Sequence, residues 1–207
     1  MVLFLHISSR VADEPYPRLL RDKGGSGFPT LLFMDAAGDV LLKQRGRDVE
    51  AFTTSLERLE RWRELERLRA SGDPGIAYEL LMAEIDLGRV DFPAAAAQRQ
   101  TFGELDPEQE RALDAQLTNL ESEHLIKKKG PHAGPDLLQM WEAGRIPTGA
   151  AGRGFYDALL DHAADQKDAK QFVRFLSEMK RAYGKERRLR PYFKERQEQV
   201  RDLRRGN

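Results

Sequence analysis

The spacing of apolar residues changes near residue 48 of this 207-residue chain, and that change limits the folds it can adopt. Before residue 48, apolar residues come in short, mostly continuous runs at Val2–Ile7, Leu31–Met34 and Val40–Gln44. Such runs, when turn residues flank them, are typical of buried strands. After residue 48, apolar residues recur every three or four positions, as on one face of a helix. We therefore predict a short α/β region followed by a long helical one.

Turn and capping residues divide the first region. A short helix is predicted over Tyr16–Lys23, because two glycines follow it and can end it. Asp35–Asp39 includes a glycine and predicts a tight hairpin turn between the second and third strands. Asp48 is a suitable N-cap for a long helix, whose apolar stripe runs on to Leu68.

Glycine, proline and aspartate divide the rest of the chain into helices. Residues 71–75 break the first long helix, and Asp106 followed by Pro107 has the chemistry of a helix start. Residues 127–134 are predicted as a linker and 146–153 as a glycine-rich loop. Helices are predicted over residues 76–87, 92–102, 106–126, 135–144, 155–164, 168–183 and 190–205.

The segment Ala77–Phe102 resembles one tetratricopeptide-type unit. Small and large apolar residues alternate in it, and Gly88 falls at the expected turn. The TPR-like resemblance implies stacked antiparallel helical hairpins with a concave face.

Residues 27–40, with the sequence GFPTLLFMDAAGDV, resemble the thioredoxin superfamily. In that family a hydrophobic residue, proline and threonine precede a buried strand, a glycine turn, an antiparallel strand and a final helix. The order and lengths of these elements agree from Val2 to about Leu59. The resemblance implies a cis peptide bond between Phe28 and Pro29. It also implies that Phe28, Pro29 and Thr30 form a binding loop beside which an extended polypeptide adds as a strand.

The sequence contains no cysteine, so its own residues cannot carry out thiol–disulfide exchange. The family's Cys-x-x-Cys, with its activated thiolate, precedes the strand to which Val2–Ile7 corresponds. The strand that is absent with it lies, in the family, between the counterparts of Val2–Ile7 and Leu31–Met34. The two strands can pair directly, a second chain can supply the missing strand, or the sequence is part of a longer protein. Direct pairing leaves apolar side chains exposed and favours self-association.

Charge and histidine content limit the partners and cofactors. The 34 basic and 34 acidic residues cancel, which argues against nucleic acid or an anionic membrane as a partner of the whole surface. The four histidines are scattered, so no metal or other cofactor is predicted. No apolar stretch has the length of a transmembrane helix, and the first residues lack the pattern of a signal peptide. We expect a cytoplasmic location for the sequence as written, and a periplasmic or exported one if its N-terminus is truncated.

Other chemical groups give weaker signals. Trp62 and Trp141 lie on apolar stripes, which favours a core role over a ligand platform. His162 stands near Asp161 and Asp165, but no nucleophile accompanies them, so catalysis is not predicted.

Residues 180–205 carry the strongest charge asymmetry, with eleven Lys and Arg against four Asp and Glu. Tyr183, Tyr192 and Phe193 are interleaved with these charges. One interpretation is an RNA- or phosphate-binding helix. The favoured one is an exposed terminal helix whose acidic partners lie elsewhere in the molecule.

The predicted fold class is a partial thioredoxin-like α/β region over residues 1–70, followed by an all-α region of TPR-like hairpins over residues 71–207. The first functional hypothesis is a redox-inactive, polypeptide-binding or scaffold module. The second is the remainder of a thioredoxin-family oxidoreductase, which an upstream, in-frame Cys-x-x-Cys would support. The third is a nucleic-acid-associated protein, which the salt dependence of RNA binding tests.

Overall fold

The structure, a computed structural model, describes Tyr16, residues 18–25, Gly27, residues 29–72 and residues 74–205. Contacts divide the chain into two compact units, residues 1–89 and residues 90–207. The prediction of a mostly helical protein with a strand hairpin near its N-terminus is confirmed. The predicted strand Val2–Ile7 lies outside the described residues. The thioredoxin-like assignment and the domain limits 1–70 and 71–207 therefore stay predictions.

The first unit combines a hairpin with helices. Its elements are α1 (Leu19–Asp22), β1 (Leu31–Met34), β2 (Val40–Gln44), α2 (Val49–Ala70), a 3-10 turn (Pro74–Ile76) and α3 (Ala77–Asp86).

The described part of the second unit is helical. Its elements are α4 (Phe92–Arg99), α5 (Pro107–Lys129), a 3-10 turn (Gly130–Ala133), α6 (Gly134–Glu142), α7 (Gly149–Asp165), α8 (Ala169–Tyr183), a 3-10 turn (Arg187–Leu189) and α9 (Arg190–Arg205).

The hairpin forms where the sequence predicts it. β1 and β2 pair antiparallel, with an irregularity in the register between Phe33 and Met34. The Asp35 carboxylate accepts hydrogen bonds from the backbone N–H groups of Ala37 at 2.9 Å and Asp39 at 2.8 Å. Gly38 has a φ of 84°, which glycine adopts without the steric penalty of a side chain. The conformation of the turn is therefore determined by residues within the turn itself.

The long helix α2 covers the hairpin. Asp48 caps it by accepting a hydrogen bond from the Ala51 N–H at 2.8 Å. Leu59 of α2 is buried with Leu41 and Leu42 of β2 and with Leu87. The hairpin and α2 thus share one small apolar core.

Helices pack in pairs within each unit. In the first unit α2 packs on α3, where the Arg58 guanidinium contacts the side chain and the backbone carbonyl of Asp86. In the second unit α4 packs on α5, and α7 packs on α8. The proposed TPR-like unit at 77–102 spans the division between the two units, and it stays a prediction.

A capping box starts α5. The Asp106 carboxylate accepts hydrogen bonds from the N–H groups of Glu108 and Gln109, both at 2.9 Å. In return, the Gln109 side chain accepts one from the Asp106 N–H at 3.3 Å. Three N–H groups without helical partners are satisfied in this way, and Pro107 occupies the first turn.

Two sequence predictions of non-helical segments are wrong. Residues 127–129 complete α5, where three lysines in the last turn interact favourably with the helix dipole. Residues 149–153 belong to the start of α7. Gly152 is buried there, and a Cβ on it would overlap the Pro147 carbonyl and the Tyr183 hydroxyl. Glycine therefore permits close packing at this position, although its sequence context resembles a flexible loop.

The core of the second unit lies between α6, α7, α8 and α9. Its buried side chains are Leu137, Met140, Phe155, Leu159, Leu160, Phe172, Phe175, Leu176, Met179 and Phe193. Within the described ranges, no helix is both long and apolar enough to cross a bilayer.

A polar network fastens α9 to α7. The Arg196 guanidinium donates to Asp157 Oδ1 at 2.6 Å and forms an ion pair with Asp161 at 2.8 Å. The Tyr192 hydroxyl donates to the same Asp157 oxygen at 2.6 Å and accepts from Arg196 Nε at 3.0 Å. The side chain of Arg196 is 15% exposed, so most of this cationic side chain is out of contact with solvent.

The capping box predicts a measurable contribution to stability. We expect Asp106→Ala to lower the free energy of unfolding of the second unit by about 1 kcal/mol, because it leaves helix N–H groups without acceptors. In a Trp62→Phe background Trp141 is the only tryptophan, so its fluorescence during urea unfolding reports on the second unit. Glu123→Ala, an exposed change in the middle of α5, is the control. Equal urea midpoints for Asp106→Ala and Glu123→Ala would contradict a stabilising role of the capping box.

Candidate functional site

The structure describes two of the three predicted binding residues. Pro29 is exposed, and Thr30 is half-buried directly before β1. The Thr30 hydroxyl donates to the Gly27 carbonyl oxygen at 2.5 Å, which closes the turn that leads into the strand. Phe28 lies outside the described residues, and so does the predicted cis geometry of its bond to Pro29.

A buried polar contact holds the hairpin on α2. The Ser55 hydroxyl of α2 donates to Gln44 Oε1 of β2 at 2.5 Å, and both side chains are buried. Gln44 Nε2 in turn donates to the Gly46 carbonyl at 2.9 Å. Breaking one partner of such a buried pair leaves the other unsatisfied, so the contact specifies one position of β2 on α2.

Aromatic contacts support the same side of the hairpin. The rings of Phe33 and Phe52 lie 5.9 Å apart between their centres in a tilted arrangement. The Arg89 guanidinium lies 4.2 Å from the centre of the Trp62 ring, and Arg89 Nη1 donates to the Leu41 carbonyl at 3.4 Å. Trp62 therefore has a structural role beside the hairpin, as its apolar stripe predicts.

β1 is the strand that the predicted binding loop enters. Among the described residues it pairs with β2 alone, along one of its two edges. Alternate residues of a strand direct their N–H and C=O groups to opposite edges. The loop containing Pro29 and Thr30 thus leads directly into a strand that is fixed on one side by β2 and α2.

A second polar cluster joins three helices of the second unit. The Trp141 indole N–H donates to Glu178 Oε2 at 2.8 Å, and the Tyr156 hydroxyl lies 3.4 Å from the same oxygen. The Arg174 guanidinium stacks 4.2 Å from the centre of the Trp141 ring and lies 3.7 Å from Glu178 Oε1. We call Trp141, Tyr156, Arg174 and Glu178 the α6–α8 cluster. It links α6, α7 and α8 through one carboxylate.

The Tyr156 phenol of the α6–α8 cluster is unsuited to proton transfer at neutral pH. Burial, and then the neighbouring Glu178 carboxylate, raises the pKa of Tyr156 to about 12. Burial also raises the pKa of Tyr183, and burial together with Asp157 raises that of Tyr192. A general acid or base acts best when its pKa is near the working pH. The Tyr156 and Tyr192 phenols therefore serve as hydrogen-bond donors to carboxylates on neighbouring helices.

Arg196 keeps its charge despite its position. Burial disfavours the guanidinium cation, but its hydrogen bond to Asp157 and its neighbours Tyr192 and Asp161 outweigh that cost and raise its pKa. Arg196 thus links α9 to α7 through ionic hydrogen bonds.

Sequence reasoning missed Glu178 as the centre of the α6–α8 cluster. Its spacing of four residues from Arg174 was a usable helical signal. Its contact with Trp141 joins residues 37 positions apart, and no local pattern records such a contact. His162, considered at first for acid–base chemistry, packs against Gly134, where a Cβ would overlap its ring.

The described part of the chain contains no group of three or more His, Asp or Glu side chains placed to hold a metal ion. Comparisons with models of protein families, with curated proteins and with solved structures found no match. The functional argument therefore depends on the residues themselves.

The raised pKa of Tyr156 predicts a specific loss of stability in alkali. The folded state favours the neutral phenol, so its contribution is complete below the unfolded pKa of about 10 and is lost as pH rises towards 12. We expect Tyr156→Phe to flatten the decline in unfolding free energy between about pH 9 and 12, measured by urea unfolding followed by circular dichroism. A decline as steep as that of the parent protein would show that Tyr156 titrates alike in both states.

Proposed function

We propose that this chain is a polypeptide-binding module whose first unit descends from a thioredoxin-like fold and performs no thiol–disulfide exchange with its own residues. Phe28, Pro29 and Thr30, together with the outer edge of β1, hold an extended segment of the partner. The observation that carries the proposal is the exposed Pro29 loop, which a hydrogen bond from Thr30 to Gly27 fixes at the start of β1.

Strand addition explains how such a site binds. A strand edge presents a row of N–H and C=O groups, and an extended peptide pairs with them through its own backbone. These bonds supply affinity for many sequences, and alternate side chains of the peptide supply selectivity. A loop beside the first residue of the strand can then fix where the peptide starts.

The hairpin is well supported for this role. The contact between Gln44 and Ser55 and the ring contact between Phe33 and Phe52 hold β1 and β2 on α2 before any partner arrives. A preformed edge loses little conformational entropy on binding, which favours affinity. Met34 ends β1 with 37% of its surface exposed, and its flexible thioether adapts to varied apolar side chains.

The partner is therefore an extended polypeptide with apolar side chains at alternate positions. The absence of cysteine limits the chain's own contribution to binding and positioning.

Peptides with blocked backbone groups test strand addition directly. A fluorescent peptide of alternating Val and Thr is titrated with the protein and its anisotropy is measured. N-methylation at every second residue removes the backbone donors from one edge of the peptide. We expect one N-methylated register to bind about tenfold more weakly and the other to bind like the parent peptide, because only one edge pairs with β1. Equal affinity for both registers would contradict strand addition.

Substitutions in the loop test the three proposed residues. We expect Phe28→Ala, Pro29→Ala and Thr30→Val each to weaken peptide binding several-fold, the last because it removes the hydroxyl that bonds to Gly27. Thr53→Val is the control, since Thr53 is exposed and its hydroxyl donates to a backbone carbonyl within α2. If the loop variants and Thr53→Val bind alike, the loop is structural only. A doubled mass of the free protein in solution would instead indicate that a second copy occupies the edge.

A further inference from the structure

The basic charges near the C-terminus remain largely without carboxylate partners. Residues 180–205 have a surplus of seven positive charges, and the rest of the neutral chain has an equal surplus of negative ones. Within the described ranges, two of these eleven cations form ion pairs: Arg188 with Glu186, and Arg196 with Asp157 and Asp161. The expectation that acidic residues elsewhere in the molecule neutralise this segment is met at few positions.

Four of the cations form a line along the exposed side of α9. Arg190, Lys194, Arg201 and Arg205 are separated by four, seven and four residues, so a helix of 3.6 residues per turn brings them to the same side. All four are exposed, and their backbone positions span about 22 Å at 1.5 Å per residue. We call these four residues the basic stripe.

The opposite side of α9 is already occupied. Phe193 is buried in the core of the second unit, and Val200 and Leu203 pack against that core. The helix therefore has no free apolar face with which to enter a membrane. The Tyr192 hydroxyl is bonded to Asp157, so neither aromatic residue of α9 is presented for stacking on a base.

We propose that the basic stripe binds the phosphate backbone of single-stranded nucleic acid without reading its sequence. Each cation of the stripe can contact one phosphate, and three of the four residues are arginines, whose planar guanidinium forms two hydrogen bonds to one phosphate. Binding without stacked aromatic residues depends on charge and on the release of counterions. This inference is independent of the polypeptide site on the first unit.

Three carboxylates of α9 limit the strength of this surface. Glu198 lies in the stripe, four residues after Lys194 and three before Arg201, and Glu195 and Asp202 are exposed beside it. In the described residues they form no ion pair with a cation of α9. Their negative charge therefore weakens phosphate binding only by electrostatic repulsion of the phosphates. Their removal therefore strengthens binding.

The salt dependence of binding provides the main test. Fluorescein-labelled oligothymidylate is titrated with the full chain at several salt concentrations, and binding is followed by anisotropy. Four phosphate contacts to a single strand predict a slope of about −3 in a plot of log K against log salt, or an affinity loss of about fifty-fold between about 50 and 200 mM. Oligoadenylate should bind with the same slope.

Matched variants separate the stripe from overall charge. Replacing Arg190, Lys194, Arg201 and Arg205 by Gln should abolish most of the slope. The control replaces four exposed arginines of the first unit by Gln, which alters the net charge equally: Arg45, Arg47, Arg61 and Arg63. A third variant, E195Q/E198Q/D202N, should bind several-fold more tightly than the parent.

Three results would overturn the proposal. One is a flat salt plot for the parent protein, and another is an equal loss of binding in the stripe variant and the control. The third is binding to phosphatidylserine vesicles without binding to either oligonucleotide, which would assign the stripe to a membrane surface. Circular dichroism confirms that each variant retains its helices.

Discussion

The bonds of Arg196 to Asp157 and Asp161 determine which side of α9 faces the core. The guanidinium is a mostly buried cation, with 15% of its side chain exposed, and such a charge is tolerated only when its hydrogen bonds are satisfied. Asp157, Asp161 and Tyr192 supply those partners, so one rotation of α9 on α7 is strongly preferred. In that rotation Phe193 enters the core, and the basic stripe faces solvent. The proposed phosphate-binding surface thus depends on one internal ion-pair network.

The first unit has a comparable constraint at its hairpin. The Ser55 hydroxyl and the Gln44 side chain form a buried hydrogen bond, and Leu42 and Leu59 belong to the apolar core that the same two elements share. A shift of β2 by one residue would bury Lys43 in place of Gln44 and lose this bond. The register of β1, and with it the position of the Pro29 loop, follows from that pairing. The proposed binding of a polypeptide at the loop therefore depends on an intact contact between β2 and α2.

Features with local causes were predictable from the sequence. Asp48 and Asp106 cap helices, and Gly38 takes the positive φ that the hairpin turn requires. Gly152 was misinterpreted, because the sequence cannot distinguish a glycine needed for flexibility from one needed for close packing. The aspartate partners of Arg196 lie more than thirty residues away, on another helix, and one sequence contains no record of such a contact. For the candidate site, the structure supplied the exposed position of Pro29 and the hydrogen bond from Thr30 to Gly27. The proposed binding role of these residues comes from the resemblance to the thioredoxin superfamily.

The most direct test of this account is hydrogen exchange at the backbone amides of α9 in Arg196→Met, with Arg201→Met as the control. Both changes remove a guanidinium and keep a long side chain, but Arg196 is bonded to two aspartates and Arg201 is an exposed member of the stripe. Loss of this partly buried network should cost about 1–3 kcal/mol, so the amides of α9 should exchange about five- to more than a hundredfold faster in Arg196→Met and at the parent rate in the control. Equal exchange in the two variants would contradict the claim that the Arg196 network holds α9 in place.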